Sequence, residues 1–224
     1  MSINIANYQK IKSIANNYHA SLVAVSKTKP MADILALHQE GQVLFGENYV
    51  QELTEKFKEA PSSIDWHFIG HLQSNKVKFI QPIAKLIHGV DSEKLLMEIN
   101  KQATKNNTIS NILLQVYIAQ EESKFGLDEI ELTAILDKYS NGNFSNIRIK
   151  GLMGMASFTE DHSKIKKEFT ELKQIFDRHK LNEDFNTLSM GMSSDYQIAL
   201  DCGSTMIRIG SAFFGERNYA TANG

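Results

Sequence analysis

SLVAVSKTKP, residues 21–30, is the stretch from which the fold and the chemistry can both be read. Alternate residues of a strand share a face, so Val23, Val25 and Lys27 are expected to point one way and Leu22, Ala24 and Ser26 the other. Both faces are apolar or small, as in a parallel strand covered on both sides. Pro30 ends the strand, which puts Lys27 at its C-terminal end and Lys29 in the loop. An amine among apolar neighbours is disfavoured as a cation and is free to attack a carbonyl. The plainer alternative is a lysine that snorkels from a strand end into solvent.

Outward from this stretch, short apolar runs alternate with amphipathic ones. Further strands are expected at Val43–Phe45, Trp66–Ile69, Lys85–His88, Ile112–Ile118, Ile147–Leu152, Thr187–Ser189 and Met206–Ile209, with the first at Leu22–Ser26. Helices are expected at Ala32–Gln39, Val50–Glu59, Ser92–Lys105, Glu129–Lys138 and Lys164–His179. In the last, Ile165, Phe169, Leu172, Ile175 and Phe176 recur at spacings of three and four, which buries one face. Eight strand–helix units predict an α/β protein, a single (β/α)8 TIM-type barrel. A doubly wound open sheet is the rival, but no G-x-G-x-x-G follows the first strand.

Composition sets the bounds. The 224 residues are 42% hydrophobic and carry a formal net charge of -2, enough for a core and no reason to expect nucleic acid or an anionic membrane as partner. Cys202 is the single cysteine, so an intrachain disulfide is impossible, which suits a reducing compartment. The N-terminus lacks the apolar core of a signal peptide, and no apolar run nears the roughly 20 residues of a membrane span. Only Pro30, Pro61 and Pro82 occur and no linker interrupts the chain, so residues 1–224 are expected to form one domain in the cytoplasm.

An anion cradle is expected near the C-terminus. Gly191 permits unusual backbone geometry after the seventh strand, and Ser193, Ser194 and Asp195 are placed to begin and cap a helix whose free N–H groups attract an anion. Gly210 and Ser211, after the eighth strand, are placed to complete a nest. Phosphate sites near strands seven and eight recur in this fold. Each turn taken alone reads as an ordinary cap or an ordinary turn. Arg208 shares a strand face with Met206 and needs a partner in the core: a ring nitrogen, or a barrel acid such as Glu47. His71, after Gly70, is either an acid/base group at the barrel mouth or a hydrogen-bonded loop residue. The turn at Gly70 makes His67 and His71 a poor metal pair, and no metal site is expected.

AVSKTKP at 24–30, FGENYVQE at 45–52, HFIGHLQSNK at 67–76, GLMGMASF at 151–158, SMGMSSD at 189–195 and GSTMIRIGSAFFGER at 203–217 together resemble the YggS/PROSC family of pyridoxal 5′-phosphate (PLP) homeostasis proteins. That family's barrel is similar to the N-terminal domain of alanine racemase, so the resemblance implies PLP fold type III without the racemase's second β domain. It implies a Schiff base on Lys27, Arg208 against the pyridine nitrogen, and Ser193, Gly210 and Ser211 around the phosphate. Asn48 is a further cofactor neighbour by the same resemblance. GLMGMASF and the KFG at 124–126 depart locally from the family's pattern.

Three functions compete on this reading. A PLP carrier or buffer, active in PLP homeostasis and meeting apoenzymes only transiently, is favoured. A racemase-like PLP enzyme would need a second acid/base, which Tyr49 or His71 would have to supply. A Schiff-base lyase of sugar phosphates would need more polar groups near Lys27 than Val23 and Val25 offer. With only a short tail after the eighth strand, the covering domain of a racemase is not expected, which also points to a monomer.

Overall fold

The structure, a computed structural model, describes residues 3–119 and 126–215. Eight strands close in sequence order into a parallel barrel. In chain order the elements are α1 (Ile5–Asn17), β1 (Ser21–Val25), α2 (Met31–Gln39), β2 (Leu44–Glu47), α3 (Val50–Glu59), β3 (Asp65–Phe68), α4 (Val77–Ile80), β4 (Leu86–Val90), α5 (Glu93–Lys105) and β5 (Ser110–Gln115). They continue with α6 (Glu129–Ser140), β6 (Ile147–Met153), α7 (His162–Arg178), β7 (Thr187–Ser189), α8 (Tyr196–Asp201), β8 (Met206–Ile209) and α9 (Ser211–Phe214). The ring shuts where β1 pairs with β8, from Ser21 opposite Met206 to Ala24 opposite Ile209.

Strand parity behaves as the sequence predicts. Leu22 and Ala24 join the large apolar layer between sheet and helices, as do Ile207 and Ile209. Val23 and Met206 face inward, where they form a small floor with Leu86, Leu113 and Met153. All five apolar positions predicted for α7 are buried.

The strands β7 and β8 lie at the expected residues, while the ends of the other strands differ from expectation by up to three residues. β2 runs on to Glu47 because Glu47 pairs in register with Phe68 of β3. β5 stops at Gln115, and Val116 instead bridges to Leu127.

The helix α1 has no counterpart in the sequence reading. Its asparagines weaken local propensity, and its stabilising contacts come from the far end of the chain. Asn4 caps it by accepting from the Asn7 N–H, and the Asn4 N–H donates to the Phe213 carbonyl at 2.9 Å. Tyr8 is fully buried, with its ring edge-on to Phe213. Among the described residues no helix is long and apolar enough to cross a membrane, and no cluster of three or more His, Cys, Asp or Glu could hold a metal ion.

Candidate functional site

A cavity of about 560 Å³ opens at the C-terminal ends of the strands, and Lys27, Asn48, Ser193, Arg208, Gly210 and Ser211 all line it. Six residues spread from position 27 to 211 thus meet in one place, within the size range of small-molecule sites. Lys29 also lines it, but its Nζ donates to the Phe214 carbonyl at 2.8 Å and so fastens the end of α9.

The two C-terminal turns are joined directly. The Gly210 N–H donates to Ser193 Oγ at 3.3 Å. Gly191 has φ +97°, and a Cβ there would lie 2.6 Å from the Ala199 Cβ, so only glycine allows the β7 loop to fold back. At Gly210 a Cβ would press on the Val25 carbonyl at 3.1 Å. The expected capping differs in detail. The helix α8 starts at Tyr196, and Asp195 Oδ1 accepts from the Met192 N–H at 2.6 Å instead of capping the helix. Asp195 therefore ties the turn that carries Ser193, because the loop closes on itself before the helix begins.

Arg208 points inward, is almost fully buried, and its partners are not acids. Its Nη1 donates to the Ser189 carbonyl at 2.9 Å and to Ser189 Oγ at 2.6 Å, and Nη2 reaches the Gly154 carbonyl at 3.4 Å. The alternative pairing with Glu47 fails because Glu47 is on the outward parity of β2, where it meets Lys56 of α3 at 2.7 Å. Burial lowers the Arg208 guanidinium to about 10, with Asp195 opposing, so it stays cationic at neutral pH.

Beyond Arg208 a polar chain crosses the barrel. Ser189 Oγ lies 3.1 Å from His88 Nδ1, and His88 Nε2 lies 3.0 Å from His67 Nδ1. Arginine has only donors, so Ser189 accepts from Arg208 and is free to donate to His88 Nδ1. In the arrangement that gives each of these protons an acceptor, His88 carries its proton on Nε2 and donates to His67. Burial lowers His67 to about 4, and burial with the neighbouring His67 and Arg208 puts His88 well below its ordinary value. Both rings are neutral near pH 7.

Sequence reasoning missed this chain. It placed His67 in the strand at Trp66–Ile69, as found in β3, but weighed it only as a metal ligand and did not follow its inward parity. The alternation used for Lys27 would have found it. His71 and Tyr49 line an adjoining groove of about 520 Å³, sharing only Asn48 with the Lys27 cavity, and His71 Nδ1 is 3.0 Å from Asp91 Oδ2. Met155 and Phe158 form an unforeseen apolar rim, Phe158 being 93% exposed. Lys124 and Phe125 of the KFG departure lie outside the described residues.

One atom in the cavity wall awaits a partner. The Oδ1 of Asn48 is buried and has no hydrogen bond among the described residues. A buried amide oxygen left unmet costs free energy that a ligand group can recover. An amine, an unmet amide, a fixed guanidinium and two hydroxyl-bearing turns form a donor set that fits an aldehyde with a ring nitrogen and an anionic tail.

A closed parallel barrel with a lysine in the turn after β1 and serine-bearing turns after β7 and β8, all lining one cavity, defines a class of cofactor-binding barrel. Residues 5–218 match the family described as alanine racemase, N-terminal domain, and the chain belongs to that family. Within it, the chain is similar to the pyridoxal phosphate homeostasis protein of Haemophilus influenzae, 38% identical over 213 residues that cover 92% of this chain and 89% of that one. The human pyridoxal phosphate homeostasis protein is also 38% identical, over 89% of this chain and 77% of its own. The structure of PipY of Synechococcus elongatus PCC7942 with PLP bound superposes with a TM-score of 0.82 at 30% identity, covering 93% of this chain and all of that one. Alanine racemase from Bartonella henselae shares the fold at 18% identity and a TM-score of 0.72, over 92% of this chain and 56% of the racemase.

Proposed function

We propose that this protein binds PLP as a Schiff base on Lys27 and acts in PLP homeostasis as a carrier or buffer. The carrying observation is the convergence of Lys27, Arg208 and the paired Ser193–Gly210 turns on one cavity whose wall holds an Asn48 oxygen with no hydrogen bond among the described residues. The names of the relatives and the PLP in the PipY structure support the same reading.

PLP, when bound, supplies an electrophilic aldehyde and a ring able to take up electrons. Arg208, donating only, would keep the ring nitrogen unprotonated and weaken that uptake. Ser193, Ser211 and the Gly210 turn would hold the phosphate. A racemase needs a second proton donor opposite Lys27. Among the described lining residues the remaining titratable side chain is Lys29, which is engaged with the Phe214 carbonyl. Tyr49 and His71 belong to the adjoining groove. These placements support a carrier over an enzyme. Work as a single domain over residues 1–224, as a monomer, in the cytoplasm and with transient apoenzyme contacts belongs to the same proposal.

The test is an absorbance titration of purified protein with PLP, then borohydride reduction and peptide mapping. The expected label is on Lys27, with loss of the visible band in Lys27→Ala. Label on Lys29, or no chromophore, would overturn the assignment. Racemisation of alanine or serine above the rate of free PLP would overturn the carrier reading.

A further inference from the structure

Directly behind Lys27, on the outer face of β1 and β2, lies a buried ionic cluster that takes no part in lining the cavity. Ser26 and Glu47 are fully buried there, and Lys56 of α3 is nearly so. The Ser26 hydroxyl donates to Glu47 Oε1 at 2.6 Å, and the Ser26 carbonyl accepts from Lys56 Nζ at 2.8 Å. Lys56 Nζ also reaches Glu47 Oε1 at 2.7 Å and Glu52 Oε1 at 2.6 Å. The same Glu52 oxygen accepts the Thr28 backbone N–H at 2.6 Å. Both neighbours of Lys27 are therefore gripped, one on each side, by side chains of β2 and α3.

The backbone here needs holding. The Lys29 N–H donates to the Ser26 carbonyl at 3.0 Å, so residues 26–29 form a tight turn with Lys27 second and Thr28 third. Thr28 has φ +63°. Turns with positive φ at the third residue favour glycine, and a β-branched residue there is strained. Such geometry persists when its surroundings over-determine it. Buried ion pairs contribute little net stability compared with well-packed apolar residues, so stability alone does not account for three ionisable groups at this spot.

We propose that Glu47, Lys56 and Glu52 are positioning residues that fix Ser26 and Thr28 and thereby set where the Lys27 amine is presented to its ligand. The cofactor arm of the test rests on the PLP reading above; the exchange arm does not.

Glu52→Ala removes the Thr28 acceptor from a partly exposed helix position. Amide exchange at residues 26–29 of the cofactor-free protein is expected to rise about tenfold, as for loss of one charge-assisted hydrogen bond, and PLP capture by Lys27 to slow about tenfold. Glu52→Gln, which keeps an oxygen for Thr28, is expected to restore part of both. The paired Glu47→Gln/Lys56→Met variant, neutral and similar in volume, guards against a folding failure and is expected to reproduce both defects. Wild-type exchange and capture in Glu52→Ala and in the paired variant would overturn the proposal. So would faster exchange spread evenly through the barrel, which would mark a general structural role. If the wild-type protein itself captures no PLP, the cofactor reading fails while local exchange still decides the clamp.

Discussion

Two buried polar groups, one inside the barrel and one behind β1 and β2, solve the same problem differently. Inside the barrel, Arg208, Ser189, His88 and His67 form a chain with one permanent charge and neutral partners, each of its links having a donor and an acceptor. Outside, Glu47, Lys56, Glu52 and Ser26 form a cluster of opposite charges in which Glu47 Oε2 has no hydrogen bond among the described residues. The inner chain is walled by strands on every side and uses imidazoles that lose their charge on burial. The outer cluster abuts α3, whose lysine brings its own charge on a long stem. The difference teaches that the charge inside this barrel is held beside the cavity by carbonyl and hydroxyl acceptors, while the charges behind the sheet hold one another and the backbone on either side of Lys27.

The largest expected effect breaks the outer cluster. Lys56→Met leaves Glu47 buried without its cation and is expected to cost about 3–5 kcal/mol in chemical denaturation, with most regained in Glu47→Gln/Lys56→Met.

A second effect separates the two regions by pH. His67 falls to about 4 in the folded protein against 6.5 when unfolded, so its contribution is complete above pH 6.5 and is lost as pH drops toward 4, on the order of 3 kcal/mol. His88 acts in the same direction. Burial raises Glu47 from 4.5 to about 7 although Lys56 pulls it down, so its contribution is complete below pH 4.5 and is lost as pH rises to 7. The two contributions oppose each other between pH 4.5 and 6.5. Glu47→Gln is expected to leave a stability curve that climbs steadily from pH 4 to 6.5, measured by denaturant midpoints across pH.

The smallest effect sharpens the inner side. Ser189→Ala removes the hydroxyl between Arg208 and His88 but keeps the Ser189 backbone carbonyl for Nη1. It is expected to cost about 1–2 kcal/mol, read by thermal or denaturant unfolding. A loss as large as that of Lys56→Met would mean the inner chain is as charge-dependent as the outer cluster.

Much of the site was legible because it rests on local geometry. Lys27, Ser193, Gly210 and Ser211 lie past strand ends that follow from short apolar runs stopped by turn residues, and Arg208 follows from strand parity, whereas Asn48 came only from the family resemblance. The partners of Arg208 were not legible. Ser189 and Gly154 come from two other strands or their ends, and Glu47, the acid within reach on paper, has the wrong parity by one residue. Nor was α1 visible, since Asn7 and Ala212, which hydrogen-bond at 2.8 Å, are 205 positions apart.

The amino-acid order by itself determined which residues alternate inward and outward and roughly where the strands lie, and hence that an amine and two small-residue turns stand at the same rim. Those features follow from covalent geometry, which fixes side-chain direction within each strand. Only the closed barrel decided which inward residues stand at equal height and which outward ones meet a helix. Those heights come from the stagger of strands around the ring, a property of all eight pairings at once and of no single segment.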